Sequence, residues 1–325
     1  MKAVIIRQDN LSWEEVPDPV LGDSEVLVEI HAAALNRADL MQRAGDYPPP
    51  PGCPEWMGLE IAGIIREVGE RAKESRWRVG DKVCALLGGG GYAEYAAVRH
   101  EMIMPIPPGV SMTEAAAMPE AFATAYLNLF MEGQLQSGNT LLMHAGASGL
   151  ASVVIPMAKA FGIRVVTSVQ TTRQVQSIAH LHADYVIDGE LEDVTEALLR
   201  QAAVNPIDVA IDCLGGEMMG KSLPAMRHGG RWIMIATLAG ELTEINLKTL
   251  FKKNIRIIGS TLRSRTPEVK ARILASLVKD VWPKVEAGLV RPTIYKVLPI
   301  QQAEEAHSIL RRGENVGKVV LTVRD

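Results

Sequence analysis

The chain has 325 residues, of which 47% are hydrophobic and 22% are charged, and its formal net charge is −4. This length allows two domains, and the composition excludes an intrinsically disordered chain. The negative net charge offers no basic field for nucleic acid, so the expected partners are small molecules.

The first residues and the cysteines indicate the cellular setting. Met1–Ile6 has the pattern of a first strand, and neither a signal peptide nor a run of about 20 apolar residues is visible. Cys53, Cys84 and Cys213 are odd in number and far apart, which indicates neither a disulfide framework nor a zinc knuckle. We therefore expect a cytoplasmic protein with free, buried thiols.

Residues 1 to about 120 have the pattern of short strands broken by proline and glycine. Val26–Ile30 alternates between apolar and polar residues, and Gly80–Val83 follows a predicted turn. This part of the chain is predicted to be mostly β.

From Glu120 onward, predicted helices and strands alternate, which is typical of an α/β fold with a doubly wound parallel sheet. A helix from Glu268 to about Val281 follows, and the extended segments Val297–Leu298 and Val319–Val323 could rejoin the first domain. The candidate parallel strands are Thr140–His144, Arg164–Ser168, Tyr185–Ile187, Val209–Asp212, Trp232–Ile235 and Arg256–Ile258.

A glycine-containing loop follows the first of these parallel strands. Gly146-Ala147-Ser148-Gly149-Leu150-Ala151 departs from G-x-G-x-x-G/A by a serine at the second glycine, and has the tolerated alanine at the third. Such a loop lets backbone N–H groups and a helix N-terminus meet a pyrophosphate, so a dinucleotide is predicted. The alternative is an ordinary strand-to-helix turn.

The end of the second parallel strand indicates which dinucleotide. An acid there would bind the ribose 2′-hydroxyl of NAD, but residues 167–172 carry no negative charge and Arg173 is the first ionised residue. Because a guanidinium pairs bidentately with phosphate, we predict NADPH rather than NADH. The alternative is that Arg173 is simply a solvated arginine at a helix start.

Eight segments of the chain resemble segments of a known protein family. The chain is similar to the medium-chain dehydrogenase/reductase superfamily, and within it to the zinc-free NADPH:quinone oxidoreductases of the tumour-suppressor-induced branch. The segments that carry the resemblance are ALNRADLMQR at 34–43, YPPPPG at 47–52, MPIP at 104–107, AAAMPEA at 115–121, HAGASG at 144–149, DCLGG at 212–216, GRW at 230–232 and LRSR at 262–265.

The resemblance implies an architecture. It implies a GroES-like, mostly β catalytic domain over 1–121 and 265–325, a Rossmann NADPH-binding domain over 122–264, and an active site in the cleft between them. It also implies a homodimer, for which Ile255–Ile258 offers an apolar, edge-like strand.

The resemblance also explains why catalytic zinc is not expected. Zinc alcohol dehydrogenases have a ligand cysteine where this chain has Asn36 and a ligand histidine where it has Leu59, and the four-cysteine lobe is replaced by the glycine turn Leu87–Tyr92. Without a Lewis acid, alcohol oxidation is disfavoured, and reduction of an electron-poor acceptor such as a quinone fits better.

Three catalytic residues are carried over from the family, each with an alternative. Asn36 is expected near the nicotinamide but could cap the helix Arg37–Arg43. Tyr47 is expected to contact the quinone but could pack on the proline run Pro48–Pro51. Thr124 is expected to approach the nicotinamide but could be an ordinary helix residue.

The cofactor-binding residues are likewise expected from the family, and they lie at strand ends. Gly189 stands where the family often has a tyrosine, and His144 is expected only to make a core hydrogen bond. The expected cofactor-binding residues are Gly146, Ala147, Ser148, Gly149, Leu150, Ser168, Arg173, Thr237, Leu238, Ala239, Ser260 and Leu262.

Three functions agree with these patterns. The leading hypothesis is an NADPH-dependent quinone reductase. The second keeps fold and cofactor but reduces an enoyl or alkenal double bond. The third is an NADPH-binding protein without catalysis, against which the presence of Asn36 and Tyr47 argues.

Overall fold

In the computed structural model, which describes residues 1–8 and 10–324, the chain divides into two units. One comprises Met1–Ala123 and Arg263–Asp325, and the other Thr124–Leu262. Asp325, the last residue of the predicted range 265–325, lies outside the described residues, as does Asp9.

Strands predominate in the first third of the chain, and helices and strands alternate after it. The strands are β1 Lys2–Arg7, β2 Asn10–Glu15, β3 Glu25–Ala34, β4 Glu60–Val68, β5 Lys82–Leu86, β6 Tyr95–Arg99, β7 Ile103–Pro105, β8 Thr140–Met143, β9 Arg164–Val169, β10 Tyr185–Asp188, β11 Ile207–Asp212, β12 Met226–Met234, β13 Arg256–Gly259, β14 Ile294–Pro299 and β15 Lys318–Thr322. The helices are α1 Arg37–Ala44, α2 Met112–Ala116, α3 Pro119–Tyr126, α4 Ala151–Ala160, α5 Thr172–Ser177, α6 Val194–Val204, α7 Gly216–Ser222, α8 Leu247–Lys252, α9 Pro267–Glu286 and α10 Ala303–Arg312, with π-helical turns over Leu127–Glu132.

The second unit is built on a six-stranded parallel sheet in the order β10-β9-β8-β11-β12-β13. The six predicted parallel strands are all present, and the order is that of a doubly wound sheet whose strand order reverses between β8 and β11. The inner strands of this sheet contribute apolar side chains to the buried core, among them Leu142, Val166 and Trp232. The predicted fold class is confirmed.

The first unit contains a sheet in the order β14-β15-β3-β4-β5-β7, in which β6 also pairs with β3. The C-terminal strand β15 pairs antiparallel with β3, and Val320 lies opposite Ala34. The carboxyl-terminal segment therefore pairs with a strand from the first part of the chain. Helix α9 continues past the predicted Val281, because Trp282 and Val285 are also buried.

In the described part of the chain, none of the helices combines the length and the apolar character that crossing a membrane requires.

Candidate active site

The glycine loop connects β8 to α4 by a close approach to the neighbouring strand. Gly146 donates its N–H to the carbonyl of Ser168 at 2.8 Å. A Cβ on Gly146 would lie 2.5 Å from Oγ1 of Thr167, so a side chain there would collide with β9. Ala145 takes the left-handed conformation with φ 55°, which turns the chain out of the sheet. The loop geometry thus depends on glycine at this position.

The same loop presents unused hydrogen-bond donors. Oγ of Ser148 accepts the N–H of Ala151 at 3.1 Å. The N–H groups of Gly149 and Leu150 have no acceptor among the described residues. The first turn of α4 carries no acidic residue. Free donors at the positive end of a helix dipole are suited to an anion such as a pyrophosphate.

Ser168 is buried at the end of β9 and is already engaged. Its Oγ lies 2.8 Å from Nδ1 of His144. Burial lowers the pKa of His144, so the ring is neutral and the pair is a core hydrogen bond between β8 and β9. This is the contact expected of His144. Through its side chain, Ser168 supports the strand end.

The corner around Arg173 carries both signs of charge. Arg173 is exposed in the first turn of α5. From the end of β10, Oδ2 of Asp188 accepts the Thr172 hydroxyl at 2.6 Å, and Oε2 of Glu190 accepts the Thr172 N–H at 2.9 Å. The sequence shows no acid after β9, but the fold brings two from the adjacent strand end. The two carboxylates and the Arg173 guanidinium therefore have opposite effects on the electrostatic potential at this place.

The remaining cofactor candidates lie after β12 and β13. Leu238 donates its N–H to the carbonyl of Cys213, and Ala239 to that of Leu214, so the segment 237–239 pairs with the loop after β11. Ser260 is buried and its Oγ has no partner among the described residues. Thr237 is exposed and Leu262 is buried.

Parallel strands end at one edge of the sheet, so the second unit gathers its predicted cofactor residues there. Thr124, the predicted catalytic residue of this unit, lies in α3, where its carbonyl accepts Nδ2 of Asn128 at 2.8 Å.

In the first unit, Asn36 belongs to a buried charged network. It occupies the N-cap position of α1, but its amide is bonded elsewhere: Nδ2 donates to Oε1 of Glu60 at 2.9 Å, and Oδ1 accepts Nζ of Lys318 at 2.6 Å. Lys318 also lies 2.7 Å from Oε1 of Glu60 and donates to the carbonyl of Leu35 at 2.6 Å. The Asn36 side chain is therefore held by a buried ion pair.

Two further carboxyl groups adjoin this network. Burial raises the pKa of Asp39 to about 6, although its oxygens accept the N–H groups of Asn36 and Gly58. Burial and the charge of Glu60 raise the pKa of Glu120 to about 7. The backbone N–H of Glu120 donates to Oε2 of Glu60 at 2.8 Å. The region thus holds groups that titrate near neutral pH.

Tyr47 is half-buried and lies under an arginine. The guanidinium carbon of Arg263 lies 4.7 Å from the ring centroid of Tyr47, and Nη1 of Arg263 donates to the Tyr47 carbonyl at 2.9 Å. Burial and the charge of Glu120 raise the pKa of Tyr47, whereas Arg263 lowers it. The phenol is therefore protonated at neutral pH and able to donate a hydrogen bond.

Sequence reasoning did not identify three residues of this site, namely Glu60, Lys318 and Arg263. Arg263 stands in the LRSR segment and Glu60 follows Leu59, yet neither position signals its partners. Lys318 begins an otherwise apolar strand. Because a buried lysine must be paired, its place in this strand was the one feature of the sequence that could have indicated a buried ion pair.

At the two positions where zinc alcohol dehydrogenases have metal ligands, this chain has residues with little affinity for zinc. Leu59 is buried and has no donor atom in its side chain, and Asn36 has a lysine ammonium on its carbonyl oxygen. Among the described residues, no group of three or more His, Cys, Asp or Glu side chains is placed to hold a metal ion.

The chain matches two known protein families. Residues 22–108 match the family described as "Alcohol dehydrogenase GroES-like domain", and residues 181–321 match the family described as "Zinc-binding dehydrogenase". Together with the doubly wound sheet, these matches define the class of protein. The chain belongs to the medium-chain dehydrogenase/reductase superfamily, as the sequence predicted.

Similar individual proteins include quinone oxidoreductases. Those of Homo sapiens and Sus scrofa are 27% and 28% identical to the chain over 309 residues, which are 94% of this chain and 92% of each relative. A crystal structure of the quinone oxidoreductase from Thermus thermophilus, described together with its NADPH complex, is 29% identical with a TM-score of 0.82. That alignment covers 99% of this chain and 100% of the other.

Proposed function

We propose that this protein is an NADPH-dependent quinone oxidoreductase that works without zinc. The observation that carries the proposal is the likeness to quinone oxidoreductases over 94% of the chain. The geometry of both units supports it, through the glycine loop and Asn36 for the cofactor and Tyr47 for the acceptor.

The residues present fit NADPH. The free N–H groups of Gly149 and Leu150 suit the pyrophosphate, and the unpartnered Oγ of Ser260 is a buried group that a ligand would satisfy. Arg173 suits the 2′-phosphate. When bound, the reduced cofactor supplies a hydride, and the protein supplies binding, orientation and electrostatics.

The acceptor side needs no strong acid. A quinone accepts hydride into its conjugated ring and can take protons from water, so the chain's task is to position the acceptor. The protonated phenol of Tyr47 can donate a hydrogen bond to a quinone oxygen. Asn36, which is expected near the nicotinamide, keeps one amide hydrogen beyond the one that Glu60 accepts, and Lys318 fixes its orientation.

Zinc independence rests on the same residues. A metal at Asn36 would lie near the Lys318 ammonium, and Leu59 could not ligate it. We expect purified protein to contain no stoichiometric zinc by elemental analysis, and chelators to leave turnover unchanged. Zinc bound at Asn36 would refute this part of the proposal.

The activity is tested by following NADPH oxidation with a panel of acceptors. We expect turnover with ortho-quinones to exceed turnover with α,β-unsaturated carbonyls, and NADPH to be preferred over NADH. Faster reduction of the enones would make the protein a double-bond reductase. NADPH binding without oxidation by any acceptor would make it a binding protein.

The proposal includes a cytoplasmic homodimer. Strand β13 is an edge strand, Ile257 on it is exposed, and Leu247 and Phe251 on α8 are exposed as well. Pairing of two such edges would cover backbone groups and apolar surface. Light scattering at micromolar concentration should show a dimer, and a monomer would contradict this.

A cytoplasmic location agrees with the free thiols of Cys53, Cys84 and Cys213, and fractionation of cells tests it.

A further inference from the structure

Arg263 joins three separate segments of the first unit. It is only 6% exposed, and every nitrogen of its guanidinium donates a hydrogen bond. Nε and Nη2 reach the carbonyl of Gly88 at 3.0 and 2.7 Å, Nη1 reaches the carbonyl of Tyr47 at 2.9 Å, and Nη2 also reaches Oε1 of Gln42 at 2.7 Å. A planar fork with five donors can satisfy this set, whereas an ammonium cannot.

The same guanidinium also lies over the Tyr47 ring. Its carbon is 4.7 Å from the ring centroid, within the range of a cation–π contact. Arg263 thus holds Tyr47 at two points, the main-chain carbonyl and the ring face. Its positive charge favours ionisation of the phenol, against burial and Glu120.

The surroundings of Arg263 keep the guanidinium in place. Nζ of Lys270, on α9, donates to the Arg263 carbonyl at 2.7 Å. Gly88 lies against Cys53, since a Cβ on that glycine would lie 2.5 Å from the cysteine sulfur. The carbonyl that accepts two of the hydrogen bonds therefore belongs to a tightly packed turn.

We propose that Arg263 is a positioning residue for the acceptor, acting through Tyr47. It sets the place of the Tyr47 ring and the strength of its phenol as a hydrogen-bond donor. This inference rests on the proposed role of Tyr47 in the acceptor site. The residues that follow Tyr47 are prolines, which stiffen the chain after it, so Arg263 supplies the tertiary contact that locates the ring.

A double-mutant cycle with Arg263→Lys and Tyr47→Ala tests the inference. Arg263→Lys keeps the charge but loses the fork, and we expect kcat/KM for the quinone to fall about 10- to 100-fold with an unchanged dissociation constant for NADPH. In the Tyr47→Ala background the same change should alter kcat/KM less than about twofold. An equal loss in both backgrounds would overturn the inference.

The matched control is Arg324, which lies over Tyr95 with its guanidinium carbon 4.9 Å from the ring centroid. Arg324→Lys should leave quinone kinetics unchanged, while thermal unfolding of each variant reports any general loss of stability.

A measurement without turnover separates this inference from the proposed function. Ultraviolet titration of the parent minus Tyr47→Phe isolates the Tyr47 phenol. Arg263→Gln removes the charge that favours ionisation of this phenol and should raise its titration midpoint. If the glutamine variant does not fold, the double-mutant cycle with Arg263→Lys decides the inference. An unchanged midpoint overturns the inference even if the parent reduces quinones. A changed midpoint in a protein that reduces no quinone overturns the proposed function, and with it the role in acceptor binding, but leaves Arg263 as the residue that positions Tyr47.

Discussion

The two units form their candidate sites in different ways. In the second unit the glycine loop is formed by contacts within one strand–helix–strand segment. Gly146 donates its N–H to the carbonyl of Ser168 on the next strand, and Oγ of Ser148 accepts the N–H of Ala151. In the first unit the partners of Asn36 are 24 and 282 residues away in sequence. The candidate site of the second unit consists of backbone groups whose geometry depends on glycine. That of the first unit consists of side chains that are held by buried charged groups.

The two candidate sites are therefore sensitive to different substitutions. The backbone site depends on small residues and on the free N–H groups of Gly149 and Leu150. The side-chain site depends on full pairing of buried charges, because an uncompensated buried charge is strongly destabilising.

The largest effect is expected at Lys318, the cation of the buried network. Lys318→Met would leave the Glu60 carboxylate, which is 0% exposed, without its counter-ion. We expect the free energy of unfolding to fall by about 3–5 kcal/mol, measured by urea denaturation. Lys159→Ala, which breaks the partly exposed pair with Asp184, is the control and should cost at most about 1 kcal/mol. Equal losses of unfolding free energy in the two variants would show that burial does not strengthen the Lys318–Glu60 pair.

The next effect concerns the acceptor. Tyr47→Ala should lower quinone kcat/KM on the order of a hundredfold, because a misplacement of about 1 Å can have that cost. Tyr47→Phe should keep part of the activity through the retained ring, and fluorescence titration should show NADPH affinity little changed in both. Parental quinone kinetics in Tyr47→Ala would mean that the tyrosine only packs its loop.

In the second unit, the substitution of Arg173 tests the predicted preference for NADPH. Arg173→Ala should raise KM for NADPH far more than KM for NADH, by about 10- to 100-fold, since a charge-assisted hydrogen bond contributes roughly 1.5–3 kcal/mol. Arg200→Ala, on α6 of the same unit, is the matched control, because that arginine is paired with Glu192 instead. Equal use of both cofactors by the parent would contradict the assignment of Arg173.

Glu120 gives a pH test of the side-chain site. Its pKa is raised from 4.5 to about 7, so between these values the folded protein retains a proton that the unfolded chain has lost. Stability therefore falls as pH rises through this window, and the full penalty is present above about pH 7. Glu120→Gln should raise the free energy of unfolding at pH 8 by on the order of 2 kcal/mol, with little change at pH 4.

Urea denaturation at the two pH values measures this effect. The control Glu268→Gln replaces an exposed carboxyl whose pKa is lowered, and it should show no such gain at pH 8. A gain of equal size at both pH values would exclude titration of Glu120 as the cause.

The smallest effect is expected at Glu190. Glu190→Gln keeps an acceptor for the Thr172 N–H but removes a negative charge near the predicted 2′-phosphate. We expect the dissociation constant for NADPH to fall by about two- to fivefold and that for NADH to stay nearly constant, as for other solvent-screened charges. Titration by fluorescence measures both, and weaker NADPH binding would show that Glu190 supports the site instead.

Much of the fold was predictable because its signals are local. The parallel strands are rich in apolar residues, and the loop after β8 follows a glycine pattern, so the doubly wound sheet and the superfamily could be predicted from the residues. The return of β15 to β3 was expected from its extended, apolar character. The roles of the individual site residues stay predictions.

The residues alone predict the parallel sheet of the second unit, the position of the glycine loop and the lack of a cysteine–histidine zinc pair at Asn36 and Leu59. Three contacts could be found only in the folded chain: Lys318 pairs with Glu60, Arg263 lies over Tyr47, and Glu190 accepts the N–H of Thr172 next to Arg173. Hydrophobic period and glycine placement act over a few residues, whereas a buried charge is compensated by whichever partner the fold brings within about 3 Å. That partner can lie anywhere along the chain.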